Sequence, residues 1–341
     1  MAKRNWKRQK AAFKAKVKRR IRQAMGALAA VLLVSAGVIT IGENQDWATP
    51  SWRQIYAEFG IGETVGIPSD AQGAQTKIHF IDVGQADATL LEQNGAFALV
   101  DAGTQDAQQD LLDYLHEAGV EELGYVIMTH PQSDHIGGMR AVLDEFPVEQ
   151  VLLPDFDKAP VEWWPATEQL MACIGKQQNP AIVMTAGDTY TLGDATITVL
   201  LDGVESDNVN NISPILLFEA PGVRFLMEGD AEKQVERAAL ENGTDLRATL
   251  FKAGHHGSAT SNTEEFVQAV HPRIAVVSCG ENNSYGHPHE DVLETFRREG
   301  VQVFRTDLNG TVVAYVDEEN VLRIAVTKSE EAEESSLTAV A

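Results

Sequence analysis

Thr129-His130-Pro131-Gln132-Ser133-Asp134-His135 sets two histidines and an aspartate within six residues, directly after the apolar run Tyr125-Val126-Ile127-Met128. That run has the length and apolarity of a strand, so the histidines fall at a strand terminus. Two neutral imidazoles and a carboxylate crowded at such a place suit a divalent cation of the zinc type. The spacing approximates His-x-His-x-Asp-His, but the middle position is Gln132, whose neutral amide is a weaker ligand than imidazole or carboxylate.

Working outward, polar clusters recur at the ends of other apolar runs. Asp82-Val83-Gly84-Gln85-Ala86-Asp87 joins the first two, and Asp101-Ala102-Gly103 ends the third. Glu228-Gly229-Asp230, Gly254-His255-His256-Gly257-Ser258 and Tyr285-Gly286-His287-Pro288-His289 close later ones. Acids and histidines gathered at strand termini are hard to explain as core or as solvated surface. Simple readings remain beside the chemical one. Asp230 is also placed to cap a helix over Ala231–Asn242, and His287 and His289 to lead a loop into the helix Glu290–Glu299.

Short strands are expected at Ile78–Val83, Ala88–Glu92 and Phe97–Asp101, followed by alternating helices and strands: Gln105–Ala118, Tyr125–Thr129, Ile136–Phe146, Val151–Leu153. A second set of strands runs through Ile182–Thr185, Thr196–Leu200, Ile215–Glu219 and Arg224–Met227. The pattern closes with strand–helix units from Ala248–Lys252 to Thr311–Val316. Antiparallel ribbons mixed with strand–helix units imply an α/β fold of two sheets between helices.

At these residues the sequence resembles the metallo-β-lactamase superfamily, and more specifically the exported domain of ComEC-type DNA-uptake proteins. The resemblance rests on HFIDVGQADATLL, DAG, THPQSDHIGG, NNIS, GDA, KAGHHGS, NNSYGHPH and RTDLNGT in that order, from about Lys77 to Tyr315. It implies an αββα sandwich with metal held at the strand ends. Carried over by position, His130 would bind a first metal with Gln132, and Asp134 and His135 a second. Asp230 would bridge or complete the site. His255 would be the histidine ligand after the next strand, with His256 beside it as support or proton donor. Asp101 would brace the histidine loop, Asp82 and Asp87 would orient ligand imidazoles, and His287 at the rim would contact a phosphate or protonate a leaving group. Catalytic roles fall to Asp134, His256 and His287.

The chain departs from the family at Gln132 and at Asn210-Asn211-Ile212-Ser213, where many members place another histidine. The first site is left with one strong ligand, so a single tightly held ion is expected, zinc or manganese. The expected activity is hydrolysis of a phosphodiester, either nucleic acid or a wall polymer such as a teichoic acid. The alternatives are a metal-poor binding module on the cell surface and an ester or lactone hydrolase.

Charge is unevenly placed. Residues 1–25 hold 11 of the 27 Lys and Arg and no acid; the remaining 16 basic against 50 acidic side chains leave −34. Such a body repels polyanions at long range, which argues against tight non-specific DNA binding by it. The basic arm, 1–25, leads into Met25–Gly42, 18 residues without a charge. The positive-inside rule then predicts a cytoplasmic arm, a single transmembrane anchor at 26–42 and an extracytoplasmic body. Cleavage after Ala36 is the alternative, although no clear Ala-x-Ala is present. A linker is expected at 43–75, a folded domain at 76–327 and an acidic, disordered tail at 328–341. Cys173 and Cys279, 106 positions apart, read as two small apolar residues rather than a pair.

Overall fold

The computed structural model describes residues 67–160 and 165–328. The basic arm, the apolar run at 26–42, most of the expected linker and the tail beyond Lys328 lie outside the described residues. Among the described residues no helix is long and apolar enough to cross a membrane.

Two sheets form the centre. The first has eight strands: β1 (Thr76–Phe80), β2 (Thr89–Gln93), β3 (Ala96–Val100), β4 (Leu123–Ile127), β5 (Val148–Leu153), β6 (Ile182–Val183), β14 (Val312–Val316) and β15 (Leu322–Val326), in the order β15-β14-β1-β2-β3-β4-β5-β6. The second has seven: β7 (Thr189–Leu192), β8 (Ala195–Leu201), β9 (Ile215–Ala220), β10 (Val223–Met227), β11 (Leu250–Lys252), β12 (Ile274–Val277) and β13 (Gln302–Arg305), in the order β13-β12-β11-β10-β9-β8-β7.

Side-chain alternation sorts each strand between two faces. Ile78, Phe80, Leu91 and Val100 meet Val199, Phe218, Phe225 and Val276 between the sheets. Phe80 and Phe225 touch edge to face there, with ring centroids 5.3 Å apart. The opposite face of the first sheet, with Leu90, Leu99 and Val126, is covered by α1 (Gln108–Glu117), α3 (Met139–Glu145) and α4 (Pro165–Ile174). The outer face of the second, with Leu226, Phe251 and Ala275, is covered by α5 (Lys233–Glu241), α6 (Glu264–Val270) and α7 (Glu290–Arg298). The architecture is the expected αββα sandwich.

Strand direction places the site. β3, β4, β5 and β6 run parallel, as do β10, β11, β12 and β13. Parallel neighbours bring their carboxyl ends to one edge, where open α/β sheets gather their functional loops. Asp101, His130, Asp230, His255, His256 and His287 all follow such ends.

Among the described residues, the helices α4 and Thr306–Asn309 and the edge strands β7 and β15 had no expectation from sequence. The expected helix Ile136–Phe146 is present as α3, starting at Met139, and Gly137 and Gly138 separate it from a short preceding helix, α2 (Ser133–Ile136). A Cβ on Gly137 would lie 2.3 Å from Gln105 N, and one on Gly138 2.3 Å from Ala102 O. The pair of glycines lets the histidine loop press backbone to backbone on the loop after β3. Ala71, in the segment read as linker, is buried against Val313, Tyr315 and Ala325.

Candidate metal centre

Backbone hydrogen bonds lace the loops after β1, β3 and β4 to one another, and the loop after β10 to the loop after β11. Asp87, between β1 and β2, donates its N–H to Asp134 O at 3.1 Å and accepts the Gly103 N–H at 2.8 Å. Ala102 N–H donates to His135 O at 2.7 Å, and His255 N–H to Gly229 O at 3.0 Å. Asp101 sits just beyond β3 with φ 57°, a left-handed conformation that aspartate tolerates better than most residues. Its Oδ1 accepts the Thr129 N–H at 2.9 Å, and its Oδ2 accepts from Thr129 Oγ1 and His135 Nδ1, both at 2.7 Å. Asp101 therefore fixes the His135 ring, whose proton on Nδ1 leaves the Nε2 lone pair facing inward.

Inward of that ring is a buried group. One ligand atom from each of Asp87, His135, Asp230 and His256 lies within 4.8 Å of the others. His135 Nε2 is 3.3 Å from Asp230 Oδ1, and His256 Nε2 is 3.4 Å from Asp134 Oδ2 and 3.7 Å from Asp230 Oδ2. His130 Nε2 stands 3.8 Å from Asp230 Oδ2. Asp87 Oδ1, both Asp230 oxygens and the Nε2 atoms of His130, His135 and His256 are buried without a hydrogen-bond partner. Orphaned buried carboxylate and imidazole atoms aimed at one point are costly unless something binds there. Nitrogen and oxygen donors in this number fit a divalent cation.

Electrostatics agree. Burial opposes charge on His135 and His256, yet the surrounding carboxylates outweigh it. Asp230 and Asp101 hold His135 well above the usual imidazole range, and Asp230 and Asp87 push His256 up to about 10. Burial likewise opposes ionisation of Asp230, but His135 and His256 hold its carboxyl well below the ordinary range. Such a group draws in positive charge, as protons or as a metal ion. His130 goes the other way: burial and the nearby His135 lower it to about 4, leaving a neutral ligand nitrogen.

His130, Asp134, His135 and Asp230 are thus brought together. Both of the adjacent histidines approach Asp230, and it is His256, expected only as support or proton donor, that joins the buried group. His256 is the buried one: its Nδ1 donates to Ser278 O at 3.0 Å and its Nε2 faces Asp134 and Asp230. His255 is partly exposed, with Nδ1 3.0 Å from Thr260 Oγ1, although its Nε2 also approaches Asp230 Oδ2 at 3.5 Å. Both have left-handed φ, 48° and 54°, and this tight turn leaves His256 buried and His255 partly exposed, each with its Nε2 within 4 Å of Asp230. Backbone strain of this kind costs about 1–3 kcal/mol per residue and gathers at functional sites.

Gln132 does not face Asp230. Its Nε2 donates to Asn210 Oδ1 at 2.7 Å, so the two amides that replace stronger ligands are paired with each other. Asp82 is not near the imidazoles either: its Oδ1 accepts the Gly84 N–H and its Oδ2 lies 3.5 Å from Lys328 Nζ. The helix-cap reading of Asp230 gives way, because α5 starts at Lys233 behind Glu232. His287 is buried beside the histidine pair, its ring 6.2 Å from His256 and 5.7 Å from His255. Sequence reasoning gave no role to Lys252, a buried cation whose Nζ pairs with Asp87 Oδ2 at 2.8 Å. A lysine closing an apolar strand just before Gly254-His255-His256 was the available signal.

The sequence model of the metallo-β-lactamase superfamily matches residues 81–281. ComE operon protein 3 of Bacillus subtilis (strain 168) is 29% identical over 259 residues, covering 70% of this chain and 33% of that protein. Competence protein ComA of Neisseria gonorrhoeae is 30% identical over 245 residues, covering 68% of this chain and 31% of that protein. The chain thus spans about a third of the length of these relatives. Among solved structures, the metallo-β-lactamase fold protein YhfI of Bacillus subtilis aligns with a TM-score of 0.47 and 14% identity, over 67% of this chain and 96% of that one. With a match that takes in the histidine loop, Asp230 and both histidines after β11, the chain belongs to the metallo-β-lactamase superfamily.

Proposed function

We propose that this chain is a metal-dependent phosphodiesterase that acts outside the cytoplasm, tethered to the membrane by residues 26–42. The observation that carries the activity is the buried group around Asp230, whose orphaned imidazole and carboxylate atoms converge beside a partly exposed carboxylate, Asp134. Support for the tether comes from the uncharged run behind 11 basic residues.

Asp134, His135, Asp230 and His256 would hold the ion, with Asp87 behind His256. A divalent cation there would supply an acidic water and neutralise charge on a phosphoryl oxygen. Asp134 orients the attacking water and takes its proton. Asp101 and Ser278 O keep His135 and His256 in the tautomer that presents Nε2 inward. His287, beside the histidine pair, would contact an oxygen of the substrate. His130 has the Asp230 carboxylate at 3.8 Å and the His135 ring beside it, while Gln132 and Asn210 are engaged with each other, which favours one strong ion, zinc or manganese, over two.

The diester is a nucleic acid or a wall polymer. Relatives named competence protein and recombination protein favour nucleic acid. A body at −34 must meet any polyanion through the ion itself, since its long-range field is repulsive.

The test is elemental mass spectrometry of the purified full chain after dialysis, followed by hydrolysis of a phosphodiester and a lactone by the same preparation. About one equivalent of zinc or manganese with diester turnover, abolished in Asp134→Ala, is the expected result. Turnover of the lactone alone changes the bond. Absence of both metal and turnover supports a binding module, the reading that the engaged Gln132 amide favours.

A further inference from the structure

Gln85, in the β1–β2 loop, reaches across to the loop that follows β12. Its Oε1 accepts the Gly280 N–H at 2.9 Å, which settles which way the amide lies. The NH2 end therefore faces His287 Nδ1, at 3.4 Å. The loop is shaped for this contact. A Cβ on Gly280 would lie 2.6 Å from Gln85 N. Asn283 grips the backbone of His287 from both sides: its Oδ1 accepts the His287 N–H at 3.0 Å and its Nδ2 donates to His287 O at 2.6 Å. The same Nδ2 donates to Gly280 O at 3.0 Å, tying the ends of the loop together.

An amide NH2 only donates, so His287 Nδ1 must carry its lone pair. The ring is then neutral with its proton on Nε2, and Nε2 has no hydrogen-bond partner among the described residues. We propose that Gln85 is a positioning residue that fixes His287 as an Nε2–H donor, so that His287 gives a hydrogen bond to a substrate oxygen and accepts no proton there. The substrate in this statement rests on the phosphodiesterase reading; the tautomer does not. The arrangement recasts His287 from a candidate proton carrier into a fixed dipole, which acts most strongly where charge develops during the reaction.

The test uses 15N-histidine-labelled full chain loaded with zinc, with His287 assigned by loss of its signals in His287→Ala. Long-range proton–nitrogen correlations are expected to give Nδ1 as the unprotonated nitrogen and Nε2 as the N–H. Gln85→Glu keeps an acceptor for the Gly280 N–H but demands a proton on Nδ1, so the pattern should reverse. With it kcat on a diester should fall on the order of 10²-fold with little change in KM. In Gln85→Leu the two tautomers should mix. A protonated Nδ1 in the unaltered chain, or the same pattern in Gln85→Glu, overturns the proposal. The expected tautomers in a chain that hydrolyses no diester support the Gln85 contact and overturn the activity reading alone.

Discussion

Asp101→Asn isolates the step from a supporting carboxylate to metal affinity. Asparagine tolerates the left-handed φ of 57° as readily as aspartate, so the backbone is left alone. Of the three hydrogen bonds Asp101 accepts, the one from Thr129 N–H at 2.9 Å keeps the amide oxygen in the Oδ1 position. An NH2 then replaces Oδ2, facing Thr129 Oγ1 and His135 Nδ1, each at 2.7 Å. The threonine hydroxyl can rotate and accept. His135 cannot keep a proton on Nδ1 against an NH2, so the proton moves to Nε2 and removes the lone pair that faces Asp230 at 3.3 Å. Loss of such a supporting contact costs about 10–100-fold in metal affinity, or about 1.4–2.8 kcal/mol. Competition against a chelator of known affinity, on the full chain with zinc and with manganese, measures it. An unchanged affinity in a folded Asp101→Asn chain would refute the argument that Asp101 sets the ligand tautomer.

Three further outcomes are expected. Glu236 accepts from Asn262 N–H, Thr263 N–H and Thr263 Oγ1, yet burial pushes its carboxyl from 4.5 up to about 7. The native state then keeps a proton that the unfolded state has lost, so this group's contribution is full below pH 4.5 and disappears as pH rises through 7. Glu236→Gln should therefore gain about 3 kcal/mol relative to the unaltered chain between pH 5 and 8 in urea unfolding, and parallel curves would contradict the shift. Lys252→Met strands the Asp87 carboxylate in the interior and should cost about 3–5 kcal/mol in the same assay; a loss under 1 kcal/mol would mean the pair is solvated. Gly138→Ala drives a methyl to 2.3 Å from Ala102 O. It should destabilise by about 1–3 kcal/mol, read as a fall of several degrees in melting temperature, and an unmoved melt would show that the two loops are not pressed together.

The fold and the place of the site were legible locally. Alternating apolar runs marked most strands, and the polar clusters after β3, β4, β10 and β11 marked the edge where ligands gather, because both signals live in neighbouring residues. Other features were not local. The expected helix over 136–146 starts only at Met139, after Gly137 and Gly138, which pack on a loop more than thirty positions away. The edge strands β7 and β15 are short and pair on one side only, so little periodicity announced them.

By itself the sequence determined the sandwich and the strand-end placement of His130, Asp134, His135, Asp230 and the histidine pair. Only the tertiary structure decided that His256 joins the buried group with His255 at its margin, since that depends on two left-handed residues in one turn. It also decided that Gln132 spends its amide on Asn210, 78 positions away, and that Lys252 neutralises Asp87 across 165. Residue type and spacing state which atoms are available to bind, whereas the direction in which a lone pair points is set by partners brought in from distant strands.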